Sequence, residues 1–174
     1  MMMNQLHSRR AMPKPSLFVP VTNGDSCMGA KPDCGFWTST YDPSIGGSAW
    51  IDWCVGNEYG LARSLDYGWL LTPAADARVL TIDSYADLQA VITAYPRQLR
   101  HFYRYEGYAL MPDFERMAHD YDALHLTAAG ERATRLSLPY NLYGWDCEST
   151  VWFRWAFQSV ERIAITPVPA QVEA

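Results

Sequence analysis

A glutamate at the start of an apolar segment is the residue of this sequence whose position most suggests chemistry. Glu148 follows Trp145-Asp146-Cys147 and precedes Ser149-Thr150, which begins a run of β-branched and aromatic residues. Because burying an unpaired carboxylate is costly, we expect Glu148 to face a cleft or to find a partner. One hypothesis is a catalytic carboxylate, and the other is a structural ion pair with Arg135 or Arg154.

A second group of candidates is the run Trp37-Thr38-Ser39-Thr40, in which one aromatic ring is followed by three hydroxyl side chains. The ring could stack on a planar ligand, and the hydroxyls could position a carboxylate or a ligand. A plain strand with Ser and Thr on its wet face has the same composition. The residue types alone leave both interpretations open.

Histidine and cysteine side chains near the C-terminal half provide weaker candidates. His125 lies in an apolar alternation, which is more typical of a satisfied core or cleft histidine than of a catalyst. Cys147 permits a third hypothesis, a cysteine hydrolase with His125 or His119 as the base. The run His119-Asp120-Tyr121-Asp122 could bind a metal, but acids are ordinary at a helix end, and we predict no metal site.

Charge and cysteine usage limit the classes of partner. The net charge of -5 argues against an extended nucleic-acid footprint, which needs clustered Lys and Arg. A local basic run at residues 97–104 is typical of a solvated helix end. The four cysteines lack the close paired spacing of a zinc ribbon, so we predict reduced thiols. We find neither a signal-peptide pattern nor a membrane-spanning apolar run, and we expect a cytoplasmic protein that binds no membrane.

The 174 residues predict one domain over residues 16–166, with a flexible leader at 1–15 and a loose tail at 167–174. Residues 128–130 are expected to form a turn. Strands are predicted at residues 16–22, 35–41, 67–71, 78–83, 121–127 and 148–157. Helices are predicted at residues 48–58, 84–95 and 112–120. This order favours an α+β fold over a regular parallel doubly wound sheet.

The order of these pieces resembles the ADP-ribosyltransferase fold, especially its small and divergent bacterial and phage members. The resemblance covers most of the chain, and each of its motifs is short. It implies a single domain of short strands in a split, mixed sheet with two to four short helices. Four segments carry it, namely Gly35-Phe36-Trp37-Thr38-Ser39-Thr40 with the helix that follows, residues 76–83, residues 114–126 and residues 148–163.

The resemblance implies NAD as the substrate and cleavage of its nicotinamide glycosidic bond through an oxocarbenium-like state. Glu148 would be the catalytic group that holds the ribose, and Asp146 would face the acceptor. The acceptor itself stays open among a protein, a nucleic acid, a small molecule and water.

The same resemblance assigns the run at residues 37–40 to cofactor binding. Trp37 would form a wall of the nicotinamide pocket, and Thr38 belongs to the same run. Ser39 and Thr40 would position the glutamate.

Two departures from the family pattern are visible. The family's first strand carries an Arg or His, and Leu17 to Asn23 contains neither. Many members have Glu or Gln two positions before the catalytic glutamate, where this chain has Asp146. The missing Arg or His, together with the many aromatic residues, motivates an alternative function, a non-catalytic binding or host-interaction module of phage origin on the same fold.

Overall fold

The computed structural model describes residues 2–24, 31–59, 66–98 and 110–165, and these residues contain nine short strands. Their bounds are β1 (Gln5–His7), β2 (Phe36–Thr40), β3 (Tyr67–Pro73), β4 (Val79–Ile82), β5 (Pro96–Gln98), β6 (Leu110–Pro112), β7 (Ala123–Leu126), β8 (Ser149–Trp152) and β9 (Phe157–Ala164). Seven of them form one sheet in the order β4-β7-β8-β2-β1-β3-β9. β5 and β6 form a separate two-stranded ribbon.

The main sheet is mixed. β4 and β7 run parallel, and the other neighbouring strands run antiparallel. The predicted class, a single α+β domain with a mixed sheet and two to four short helices, is confirmed. β8 pairs with β2, and this pairing brings the run at residues 37–40 next to the segment that follows Glu148.

Four α-helices occur in the described part of the chain, and three of them begin at a side chain that caps the first turn. Ser84, Asp113 and Thr127 each accept a hydrogen bond from a backbone N–H three residues later, which satisfies a donor that has no partner within the helix. The helices are α1 (Ala49–Gly56), α2 (Tyr85–Ala94), α3 (Phe114–Asp120) and α4 (Ala128–Thr134). None of the helices described is long and apolar enough to cross a membrane.

The N-terminal prediction is wrong in two places. Gln5–His7, expected in a flexible leader, form β1 in the middle of the sheet between β2 and β3. The strand expected at residues 16–22 is instead the 3₁₀ helix Pro15–Leu17 followed by irregular chain, and Thr22 forms only an isolated bridge with Asp33. The proline at the start favours the helical turn. Leu17 and Val19 remain exposed, whereas Val21 is buried in the main apolar cluster.

Two later boundaries also differ. The turn expected at residues 128–130 is the start of α4, where a Cβ on Gly130 would lie 2.1 Å from the Ile82 carbonyl oxygen. The glycine therefore allows a close approach between helix and strand rather than a turn. The strand expected over residues 148–157 divides into β8 and β9. The predicted tail, at residues 167–174, lies outside the described residues, as does most of the basic run at 97–104.

The two faces of the central strands differ in polarity. Leu124 and Val151 pair across β7 and β8 and join the main apolar cluster with residues of α2 and α3. Side chains alternate along a strand, so the neighbouring cross-strand pair, His125 and Thr150, faces the opposite side. A polar row therefore crosses the sheet on the face turned away from that cluster.

Candidate active site

Glu148 lies immediately before β8 and is 8% exposed. The antiparallel register pairs Thr38 of β2 with Thr150 of β8. Because the strands are antiparallel, the residue two positions after Thr38 comes opposite the residue two positions before Thr150. Thr40 therefore lies opposite Glu148. The sequence produces this arrangement because both segments are β-prone runs whose polar residues occur where the strands meet.

Three donors from β2 fix the Glu148 carboxylate. The Ser39 hydroxyl donates to Oε2 at 2.6 Å. The Thr40 backbone N–H donates to the same oxygen at 3.0 Å, and the Thr40 hydroxyl donates to Oε1 at 2.9 Å. The contact that we expected of Ser39 and Thr40 with Glu148 is therefore present. Hydrogen bonds to a charged acceptor are the stronger kind, so the carboxylate is held in one orientation.

No Lys or Arg of the described chain lies within ion-pair distance of Glu148. Arg135 pairs with Glu131 at 3.2 Å, and Arg154 pairs with Asp122 at 3.1 Å. The structural ion pair proposed as an alternative is therefore wrong. Glu148 is a buried carboxylate that is hydrogen-bonded to neutral donors and is not paired with any Lys or Arg of the described residues.

His125 is the nearest titratable neighbour of this carboxylate. Its Nδ1 lies 2.8 Å from the Thr150 hydroxyl and 3.4 Å from Glu148 Oε1. Burial lowers the His125 pKa below its ordinary value, and the negative charges of Glu148 and Asp83 oppose that shift. The net direction is downward, so the ring is neutral near pH 7. The prediction of a satisfied histidine is confirmed, but its contact with Glu148 was not foreseen.

Asp146 is held quite differently from Glu148. Lys31 Nζ lies 3.1 Å from its Oδ2, and Arg135 Nη2 lies 3.8 Å from its Oδ1. The side chain is 31% exposed. Asp146 is thus a partly exposed carboxylate between two cations, next to the site but outside the hydrogen bonds that fix Glu148.

Trp37 lies on the same face of β2 as Ser39, because the two residues are two positions apart. Its ring packs edge-on against Trp145 with 4.8 Å between centroids. Lys31 Nζ lies 5.7 Å from the Trp37 ring. Trp37 pairs with Val151 and packs, partly buried, against the main apolar cluster, so it lies on the face of the sheet opposite to Thr38 and Thr150.

Thr38 occupies a different environment from the other residues predicted to bind the cofactor. It is 5% exposed, and its hydroxyl donates to Gln5 Oε1 at 2.7 Å. The Thr38 hydroxyl oxygen also accepts a hydrogen bond from the Trp152 indole N–H at 2.9 Å. The Thr38 hydroxyl is therefore buried within the sheet, where its hydrogen-bond partners are the side chains of Gln5 and Trp152.

The thiol and metal hypotheses gain no support from the geometry. Burial raises the Cys147 pKa to about 12, and its sulfur lies 3.9 Å from the Ser149 hydroxyl. His125 bonds with Thr150 rather than with this thiol. Of the described cysteines, Cys34, Cys54 and Cys147 are free. Within the described ranges, no three His, Cys, Asp or Glu side chains form a group that could hold a metal ion.

Two residues of β1 that lie near the site were not predicted from the sequence. Gln5 is fully buried, and His7 hydrogen-bonds to the Trp37 carbonyl through Nδ1 at 2.8 Å. Burial is the main cause that lowers the His7 pKa to about 4. A three-residue strand is too short for its alternation to be recognised, so the pattern around Gln5 gave no signal. The first strand thus contains a histidine, which the strand expected at Leu17 to Asn23 lacks.

An open groove of about 310 Å³ lies elsewhere, along β3 and β9, and is lined by Asp66, Tyr67, Arg162, Ile163 and Ala164. The Arg162 guanidinium stacks over the Tyr67 ring at 4.0 Å. In the sheet order, these strands are separated from β8 by β1 and β2. The groove contains none of the residues that fix Glu148.

Comparisons of the chain with protein-family models, with curated proteins and with solved structures found no match.

Proposed function

We propose that the protein is an NAD-dependent mono-ADP-ribosyltransferase that breaks the nicotinamide glycosidic bond. The observation that carries this proposal is the state of Glu148, a buried carboxylate fixed by Ser39 and Thr40 without a compensating cation in the described chain. Bond cleavage leaves positive charge on the ribose carbon and ring oxygen. A fixed negative charge that is not paired with a Lys or Arg of the described residues stabilises that positive charge as it develops.

The proposed reaction has two bond changes. The bond between ribose C1′ and the nicotinamide nitrogen breaks, both electrons go to the nitrogen, and nicotinamide leaves as a neutral molecule. A nucleophilic acceptor then forms a bond to C1′ and loses its proton. A carboxylate offers about four acceptor positions, and the donors of Ser39 and Thr40 use three. The Thr40 N–H also lies 3.2 Å from Oε1, so it is shared between the two oxygens. In the proposal, a ribose hydroxyl donates to the remaining position of Glu148.

The surrounding residues take supporting roles in this proposal. Trp37 would stack against the nicotinamide ring, and Asp146 would face the acceptor. His7 occupies the first strand, where the family resemblance implies an Arg or His. Because His7 Nδ1 bonds to a carbonyl, Nδ1 carries the proton and Nε2 is left as an acceptor. A neutral His7 would suit a ribose hydroxyl better than a phosphate.

The proposal is tested by incubating purified protein with NAD and measuring nicotinamide release by chromatography. Wild type, Glu148→Gln and the control Glu161→Gln, which alters an exposed glutamate of β9, are compared. We expect release by wild type and by the control, with little release by Glu148→Gln. Label transfer in cell lysate would identify the acceptor class. Equal release by wild type and Glu148→Gln, or no release with any acceptor, would refute the proposal.

A second candidate function is a non-catalytic interaction module on the same fold. Three large apolar side chains before Glu148 are exposed, namely Leu136 at 78%, Leu138 at 74% and Tyr143 at 45%. Such side chains are typical of contact surfaces when they occur together. This candidate predicts no thermal shift with NAD. Saturable NAD binding that is lost in Trp37→Ala would count against it.

A further inference from the structure

Gln5 is an unusual residue for the centre of a sheet because it is polar, uncharged and fully buried. It pairs with Thr40 of β2 and Leu71 of β3 in the register of β1. A buried amide is tolerated only when its donors and acceptor are bonded. The partners of Gln5 therefore show what the residue does in this protein.

Gln5 lies within a chain of hydrogen bonds that ends at the Glu148 carboxylate. The Trp152 indole N–H donates to the Thr38 hydroxyl at 2.9 Å, and Thr38 donates to Gln5 Oε1 at 2.7 Å. Gln5 Nε2 lies 3.3 Å from the Thr40 hydroxyl oxygen, and Thr40 donates to Glu148 Oε1 at 2.9 Å. Five side chains from β1, β2 and the β8 segment are thus connected in series.

The direction of this chain is determined by its two ends. An indole N–H can only donate, and a carboxylate can only accept. Gln5 Nε2 also lies 3.2 Å from the Met3 carbonyl oxygen, so the opposite amide orientation would bring two acceptors together. Nε2 therefore points toward Met3 and Thr40. Each hydroxyl in the chain accepts from one neighbour and donates its single hydrogen to the next.

We propose that Gln5 is a positioning residue for Glu148, acting through the Thr40 hydroxyl, and this inference rests on the function proposed above. Without Gln5, the Thr40 hydroxyl is not required to point its hydrogen at the carboxylate. With Gln5 Nε2 bonded to a lone pair of that oxygen, the hydrogen is directed to Glu148 Oε1. Hydrogen bonds in series also polarise one another, so the last bond of the chain is strengthened.

The first test asks whether the chain exists, and it needs no enzymatic activity. The indole proton of Trp152 is observed by NMR, with the Trp69 indole, which donates to the Arg9 carbonyl, as the control resonance. We expect Glu148→Gln to shift the Trp152 proton and to leave Trp69 unchanged. The same substitution should give no further shift when Gln5→Met is already present. A shift of equal size in both backgrounds would overturn the proposal.

Thr40→Val provides a second interruption of the chain at a half-buried residue, in case Gln5→Met does not fold. It should likewise abolish the response of the Trp152 proton to Glu148→Gln. If the response persists in Thr40→Val, the connection through Thr40 is refuted.

The second test asks whether the chain serves the reaction. Gln5→Met should lower kcat for nicotinamide release about tenfold, on the scale of one hydrogen bond, and change KM for NAD less than about threefold. Gln158→Met, at an exposed position of β9, should change neither. In a Thr40→Val background, Gln5→Met should cost nothing more.

Additive losses in that double-mutant cycle, or a loss confined to KM, would overturn the positioning role. If wild type releases no nicotinamide, the proposed function fails, and the response of the Trp152 proton still decides whether Gln5 positions Glu148.

Discussion

Glu148 and Asp146 are two carboxylates only two residues apart, and the protein holds them in opposite ways. Glu148 is 8% exposed and receives neutral hydroxyl and amide donors from β2. Asp146 is 31% exposed and lies against the cations of Lys31 and Arg135. The first arrangement preserves a negative charge in a buried place, and the second neutralises a charge near solvent. Only the first is suited to stabilising a transient cation.

The comparison predicts its largest effect in the rate of nicotinamide release. Glu148→Gln should lower the initial rate by about 100-fold or more, because it removes the negative charge that stabilises the developing cation. Asp146→Asn should lower the rate by less than about tenfold, because its charge is already paired. Initial rates at saturating NAD measure both. An equal or greater loss in Asp146→Asn would reverse the roles assigned to the two carboxylates.

The second prediction concerns the free energy of unfolding. Ser39→Ala should lower it by about 2 kcal/mol, because the buried Glu148 carboxylate loses a donor. Lys31→Met, which removes a partly exposed partner of Asp146, should lower it by less than about 1 kcal/mol. Urea denaturation at neutral pH measures both changes. Similar losses in the two variants would mean that the two carboxylates are held with similar strength.

The third prediction concerns acid. His7 lies on the same face of β1 as Gln5 and has a folded pKa of about 4, below its ordinary value of 6.5. As the pH falls below 6.5, His7 becomes protonated in the unfolded chain but stays neutral in the folded chain until the pH approaches 4. The contribution of neutral His7 to the free energy of unfolding is therefore fully present above pH 6.5 and is lost as the pH falls toward 4.

Between pH 7 and pH 5, His7 should cost about 2 kcal/mol of the free energy of unfolding, and the lowered pKa of His125 adds a loss of the same sign. Urea denaturation at both pH values checks this. His7→Asn should reduce the loss, whereas the exposed control His119→Asn should not. If His7→Asn loses as much stability between pH 7 and pH 5 as the wild type does, buried His7 is not the cause of the loss.

The smallest effect is expected at Cys147, which lies between the two carboxylates. Because burial raises its pKa to about 12, the thiol should react with iodoacetamide at pH 7.5 more slowly than the exposed Cys34. Peptide mapping by mass spectrometry measures the two rates. Cys147→Ser should leave nicotinamide release unchanged. A loss of activity in that variant would revive the cysteine-hydrolase hypothesis.

The residues of the candidate site differ in how well the sequence predicted them. Ser39, Thr40 and Glu148 lie in β-prone runs long enough to be recognised, so their strands were predictable. Their contact was expected from the family resemblance and not from these local patterns. The capped helices were predictable for a similar reason, since Ser84 and Asp113 are local signals.

Gln5 and His7 were not predictable because pairing with two neighbours, rather than intrinsic pattern, makes β1 a strand. The opposite error occurred at residues 16–22, where an apolar run has β composition but finds no strand to pair with along its length. His125 shows the same limit, because only the register of β7 with β8 places it beside Glu148. Long-range pairing is therefore the information that local patterns lack.

The most direct measurement of the central claim is a crystal structure of the wild-type protein with an unreactive NAD analogue. The account predicts a ribose hydroxyl within hydrogen-bond distance of the Glu148 carboxylate, with the nicotinamide ring against Trp37. An analogue bound instead in the groove beside Tyr67 and Arg162, or a Glu148 carboxylate without contact to the ribose, would contradict it.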